Sequence, residues 1–502
     1  MLFNSYQFIF LFLPITAILF YAIARIAHPR YAACWLILAS LFFYGYWNPE
    51  YIPLLLFSIL FNYAVGMAII ETGKRTEQKA LMRFLLFLGV SVNLLLIGYY
   101  KYAIFFVQNI NHALRIDVDI GQIILPIGIS FYTFTQISFL VDAYQKRAKV
   151  YPFIHYGLFV TFFPHLIAGP ILHHKEMMPQ FSRPDTYRLN YENLAVGLTI
   201  FFMGLFKKVV FADLIAAGYV NPVFDGVLKG HAFGLVACWG GALAYTLQLY
   251  FDFSGYSDMA IGLARILGIK LPINFDSPYK AVNIVDFWRR WHMTLSRFFR
   301  DYLYIPLGGN RRAPGLTYLN VMVTMVLCGL WHGAGWTFVV WGGLHGLYLI
   351  INQLWRRLFE SSRLSKLQGK RQSRIVSRLI TFFCVVIGWT IFRSADMKSA
   401  MMILKGMAGL NGLSLSRPDW QMWLSISFLL FIVWFCPNTQ QIMGRFDPGF
   451  NVYKRDDQLI PMWHWIQWRP DWIWAIVLVF ISGVGIATVV ISNVREFLYF
   501  QF

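Results

Sequence analysis

The sequence predicts an all-α, polytopic membrane protein, and three observations carry that prediction. Of its 502 residues, 58% are hydrophobic and 18% aromatic while only 13% are charged, a balance far from that of soluble domains. A dozen apolar runs approach or reach the roughly 20 residues that a helix needs to cross a ~30 Å hydrocarbon core. The Lys and Arg side chains fall in short loops between those runs, where lipid headgroups and the cytoplasm hold them.

The runs lie at 6–27, 32–47, 51–70, 81–102, 152–172, 192–214, 232–252, 315–333, 335–355, 375–394, 418–437 and 472–492. The first is a retained span rather than a cleaved leader, because no basic residue precedes it and the first basic residues, Arg25 and Arg30, come at and beyond its far end. Two more stretches are broken. Residues 123–142 carry Pro126, Gly128 and Ser130 in apolar sequence, and 281–307 is apolar but studded with arginine. Such backbone survives in a membrane only where protein or a water-filled cavity satisfies it, so both point to an internal chamber. No solenoid repeat or low-complexity tract divides the chain, and residues 1–502 read as a single integral-membrane domain.

Orientation follows from the basic loops. The linker at 356–378 holds eight Lys or Arg against one acid, which places it in the cytoplasm. The loops around Arg25–Arg30 and Lys74–Arg83 are basic too, so the N-terminus is expected outside, and three spans after the linker put the C-terminus outside as well. The net charge of +19 is spread over these loops and gives no nucleic-acid patch. Cys34, Cys238, Cys328, Cys384 and Cys436 stand singly in apolar sequence. That pattern argues against a disulfide framework or a metal site.

Chemistry concentrates between Asp286 and His345. This stretch sets His292, His332 and His345 among aromatic residues and glycines, and a titratable group at bilayer depth faces a cavity or a partner. His332 lies in Gly-Leu-Trp-His-Gly-Ala-Gly, where glycines admit a substrate and Trp331 and Trp336 supply a dry wall. An imidazole there suits general-base work on a hydroxyl; the other reading is a histidine hydrogen-bonded in helix packing. His292 follows Phe-Trp-Arg-Arg-Trp and is either a second catalytic group or part of an interfacial amphipathic helix. The turn from Pro306 to Arg312 can hold phosphates through backbone N–H groups and arginines, or be a solvated loop. Cys328 and His332, four apart, share a helix face, which raises a thiol–imidazole pair against the reading of a buried packing cysteine. Asp252 and Asp258 are six apart with no histidine at ligand spacing, so no metal is expected there.

FWRRWH, DYLYIPLGGNRR and LWHGA, with FFPHLIAGPIL (162–172) and LQLYFDFSGYSDMAIG (247–262), resemble the membrane-bound O-acyltransferase (MBOAT) family, in its bacterial AlgI, PatA and DltB-like branch. The likeness runs from Leu2 to the chain's last residues. It implies a ring of roughly 11–13 transmembrane and re-entrant helices around a thinned central channel. It also implies a bacterial inner-membrane O-acetyltransferase with no bound cofactor. Acetyl-CoA or another acyl thioester would be the cytoplasmic donor substrate. An extracytoplasmic polysaccharide, of the alginate-type exopolysaccharide or peptidoglycan class, would be acetylated through an SGNH/GDSL-like partner.

By motif, His332 matches the family's near-invariant histidine and His292 its second position, while His165, Trp331 and Asp252 are expected to line or support the channel. Arg289, Arg290, Arg311 and Arg312 are the expected donor-phosphate ligands. The ending FLYFQF (497–502) implies that Tyr499 is a transient acyl carrier; an aromatic interface anchor is the alternative. A transporter that flips an acyl donor or glycan without bond chemistry is the rival from another class. A straight helix from Pro314 puts His332 nearly 30 Å along at ~1.5 Å per residue, close to the outer leaflet unless the helix starts in a dip or the membrane is thinned.

Overall fold

The computed structural model describes residues 1–74, 78–311, 313–360, 371–412, 420–450, 465–491 and 497–498. Among them the regular secondary structure is helical, with one isolated bridge between Pro272 and Phe450 and no strand. Seven helices are long and apolar enough to cross a membrane: Phe8–Ile26, Pro49–Thr72, Lys79–Leu114, Tyr191–Leu228, Pro314–His332, Gln372–Arg393 and Trp472–Ile491. Their outward faces carry large apolar side chains such as Leu95, 71% exposed, and Val479, 72% exposed, which only hydrocarbon can cover at this extent. The protein is a multi-pass, all-α membrane protein.

The apolar run 152–172 is not one helix. It divides into Phe153–Thr161 and Phe163–Leu166, because Pro164 has no N–H for the Val160 carbonyl and its ring would strike that group. The stretch 123–142 forms a helix only from Ile129, after Gly128 at φ +73°. A Cβ at Gly128 would lie 2.9 Å from the Leu166 carbonyl oxygen, so both broken segments meet there. Residues 281–307 fold as Ile284–Trp288, Met293–Phe299 and a π-turn Arg300–Tyr304.

The core is built around Leu235–Ile266, 32 residues and so about 48 Å long. It is buried on every face from Gly240 to Ile266, as expected of a central helix with little amphipathic character. Tyr191–Phe206 lies antiparallel on it at backbone contact. A Cβ on Gly262 would sit 2.5 Å from the Gly197 carbonyl, and one on Gly204 2.5 Å from the Gly255 carbonyl. Both members of each helix's pair are seven apart, two turns, which makes a small-residue seam.

Pro314–His332 and Trp336–Glu360 form a tight helical hairpin. Pro314 begins the first at a position where a missing N–H costs nothing, and the helix runs unbroken to His332. Arg357 donates to the Tyr318 hydroxyl at 2.8 Å, so the far end of the second helix returns to the start of the first. His332 therefore lies at the end of the hairpin remote from the basic linker.

Candidate active site

His332 is buried, 4% exposed, at the last position of its helix, and Gly333 leaves the helix in an extended conformation. Its ring meets Trp341 edge-on at 5.2 Å, Phe392 at 5.4 Å and Trp331 at 5.0 Å between centroids. The His292 ring stands 6.4 Å away. The two histidines come from separate segments of chain, and the fold brings them into one layer.

His292 is fully buried and adopts φ +42°, a left-handed conformation that costs a non-glycine residue of order 1–3 kcal/mol and clusters at functional sites. Asn274 holds it there. The Asn274 backbone oxygen accepts from Met293 N–H at 2.9 Å. Its side-chain oxygen accepts from Thr294 N–H at 3.3 Å, from the Thr294 hydroxyl at 2.9 Å and from His292 Nδ1 at 3.1 Å. A carboxamide oxygen can only accept, so His292 must donate from Nδ1, and Nε2 is then the basic nitrogen. Replacing Asn274 with leucine is expected to lower acyl transfer tenfold to about a hundredfold, the usual cost of losing a partner that fixes an imidazole's tautomer and direction. Initial rates on detergent-purified variant and parent protein measure this.

Two cavities are bordered by residues next to the histidine layer. One, about 590 Å³, is lined by Asp286, Trp288, Arg289, Arg300, Cys328 and Gln353 among others, on the linker side. The second, about 440 Å³, is lined by Met1, Ser5, Lys101, Ser130 and Trp331 among others. Trp288 and Cys328 border the first and Trp331 the second, while the rings of His332 and His292 are buried beside these residues and line neither cavity. Cys328 is one helix turn below His332, on the wall of the first cavity. His345 is buried one turn beyond Trp341, with Trp288 at 5.4 Å and Trp341 at 4.9 Å.

The remaining residues singled out in the sequence are placed as follows. His165 is buried with Nε2 2.8 Å from the Phe159 carbonyl, tying together the two halves of the broken 152–172 run. Asp252 is buried against Lys208 at 2.5 Å, and Lys208 also reaches Asp213 at 2.9 Å. Asp252 accepts the Leu498 N–H at 3.2 Å as well, and Phe497 stacks on Tyr256 at 4.5 Å. Of the arginines, Arg289 lines the first cavity. Arg290 turns away to Asp286 at 3.0 Å and the Asp276 carbonyl at 3.2 Å, and Arg311 is exposed in the turn after Gly308. Arg312 and Tyr499 lie outside the described residues.

Two residues, Asn274 and Lys101, belong to none of the sequence motifs, and a third, Arg300, lies between the expected phosphate ligands Arg290 and Arg311. Asn274 is an uncharged residue 18 positions before His292 and belongs to no motif. Arg300 joins Arg289 at the first cavity. Lys101 lines the second, and a lone lysine inside the run 81–102 was a legible signal. Among the described residues no group of three or more His, Cys, Asp or Glu side chains is placed to hold a metal ion.

Comparison with known proteins shows the family to which the chain belongs. Residues 41–397 match the model of MBOAT, the membrane-bound O-acyltransferase family, a span that includes both histidines and the lining of the first cavity. A Helicobacter pylori protein named peptidoglycan O-acetyltransferase is 44% identical over 441 residues, covering 83% of this chain and 81% of its own. A Pseudomonas aeruginosa protein named probable alginate O-acetylase AlgI is 41% identical over 427 residues, covering 83% and 76%. A Streptococcus thermophilus teichoic acid D-alanyltransferase is 28% identical over 285 residues, covering 53% and 68%. With a family match over most of its length and two such relatives, the chain belongs to the membrane-bound O-acyltransferase family and is an integral-membrane acyltransferase.

Proposed function

We propose that this enzyme moves acetyl groups from a cytoplasmic thioester, acetyl-CoA, across the bacterial inner membrane for O-acetylation of an extracytoplasmic polysaccharide, peptidoglycan or an alginate-type exopolysaccharide. The single observation that carries this reading is a buried pair of histidine rings 6.4 Å apart, with Cys328, one turn before His332, on the wall of the cavity that holds Arg289 and Arg300, and Trp331, its chain neighbour, on the wall of a second cavity. The names of the 44% and 41% identical relatives supply the acetyl group and the two polymer classes. In this reading the basic linker is cytoplasmic and both termini are extracytoplasmic. The 590 Å³ cavity then admits the donor, with Arg289 and Arg300 on its phosphates.

His332 accepts the proton of an acceptor hydroxyl as the hydroxyl oxygen attacks the acetyl carbon. The carbon–sulfur bond breaks, and the proton returns from the imidazolium to the departing thiolate, leaving ester and free thiol. Proximity and one positioned base suffice for such a transfer. His292, aimed by Asn274, stands close enough to orient the reacting groups. Tyr499 is the proposed first acceptor, supported by Phe497 and Leu498 docking beside Phe253, whose ring edges His292 at 4.8 Å. An extracytoplasmic SGNH-type partner would then take the acetyl group onward to the polymer.

The test is purified protein incubated with acetyl-CoA radiolabelled in the acetyl group. Label on the protein or on added acceptor, with release of free thiol, is the expected result. Intact donor moved across a vesicle wall without thiol release would establish the transporter instead.

A further inference from the structure

We propose that Lys101 is a positioning residue for His332: it clamps the last turn of the Pro314–His332 helix and so fixes the direction of the imidazole. The proposal rests on His332 being the base. A helix ends with four carbonyls that have no N–H partner within the helix, and at His332 the chain departs immediately into extended backbone at Gly333. Side chains from a different helix supply the missing donors. Tyr102 donates to the Leu330 carbonyl at 2.8 Å, and Lys101 Nζ donates to the carbonyls of Trp331 at 2.6 Å and His332 at 3.1 Å. Three consecutive carbonyls are thus held by two consecutive residues. Those residues close a π-helical turn, Gly98–Tyr102, a rare wide turn that is frequent at functional sites.

Lysine suits this place for two reasons. A basic group at a helix C-terminus meets the negative end of the helix dipole. Lysine also carries three donors on one nitrogen, and two are committed to carbonyls here. Its Nζ lies 5.9 Å from the Trp331 ring, and both residues line the second cavity. Lys101 does not line the cavity of Arg289 and Arg300. Losing it should therefore disturb the chemical step and leave donor binding intact.

The experiment measures kcat and donor KM with labelled acetyl-CoA for purified Lys101→Met, Lys101→Arg and Tyr102→Phe. Lys101→Met is expected to lose tenfold or more in kcat, as supporting residues do, with donor KM within about twofold. Lys101→Arg should recover most of that loss, because a guanidinium can also bridge two carbonyls, and Tyr102→Phe should lose less than Lys101→Met. Parental kcat in Lys101→Met, equal losses in the Met and Arg variants, or an effect confined to donor KM would each overturn the proposal. If Lys101→Met fails to insert, Lys101→Arg decides, and a kcat no better than a tenth of the parent overturns it. An active His332→Ala enzyme would sink the base assignment itself, whereas an inactive His332→Ala beside a fully active Lys101→Met would sink only the clamp.

Discussion

Replacing His332 with alanine is expected to lower acetyl transfer by about 10³-fold, within the 10²- to 10⁴-fold range that one positioned general base supplies. The donor should still bind, because the arginines at the first cavity are on other elements, Arg289 at the end of Ile284–Trp288 and Arg300 in the π-turn Arg300–Tyr304. The loss should appear in kcat with donor KM nearly unchanged. Truncating the imidazole opens space among Trp331, Trp341 and Phe392, so His332→Gln is the useful companion: it fills the space and hydrogen-bonds without serving as a base at neutral pH. Both variants should be equally inactive if proton transfer is the role. A glutamine variant with parental rates would mean that His332 is a packing residue. Rates on correctly inserted, monodisperse protein settle the matter.

The two histidines were legible because a titratable side chain among aromatics and glycines is expensive in a membrane and stands out. The apolar runs were legible by length, and the broken character of 281–307 by its arginines. The split of 152–172 was written in Pro164 but hidden by an otherwise continuous apolar run. What faces a cavity was harder to read. Arg289 and Arg290 are neighbours, yet one lines the first cavity while the other is drawn to Asp276 and Asp286. Residue spacing does not foretell that choice, because Asp276 reaches Arg290 from a separate turn of chain. Asn274 was silent for the same reason: its importance lies in four hydrogen bonds to residues 18 to 20 positions away. Asp252, expected to line or support the channel, forms an ion pair with Lys208 and holds the chain's C-terminal segment through Leu498.

The largest effect on stability is expected from Gly342→Ala, and the adjacent glycine gives its control. A Cβ on Gly342 would overlap the Met325 carbonyl oxygen and lie 3.1 Å from the Val326 Cα. These are backbone atoms of the partner helix, so no side-chain rotation relieves the clash and the helices must separate. Overpacking of this kind costs about 3 kcal/mol at the upper end of its usual range. Gly343 has only a Val326 methyl at 4.0 Å, and Gly343→Ala should instead gain up to about 1 kcal/mol from helix propensity. Thermal unfolding in detergent should therefore move in opposite directions for two neighbouring, chemically identical substitutions. Activity should follow Gly342 more steeply than stability does. Gly329 meets the Phe338 carbonyl in the same seam, three residues before His332, so prising the hairpin apart also displaces the turn that carries the base. Equal Tm shifts for the two alanines would show that hairpin closeness does not depend on the missing side chain at position 342.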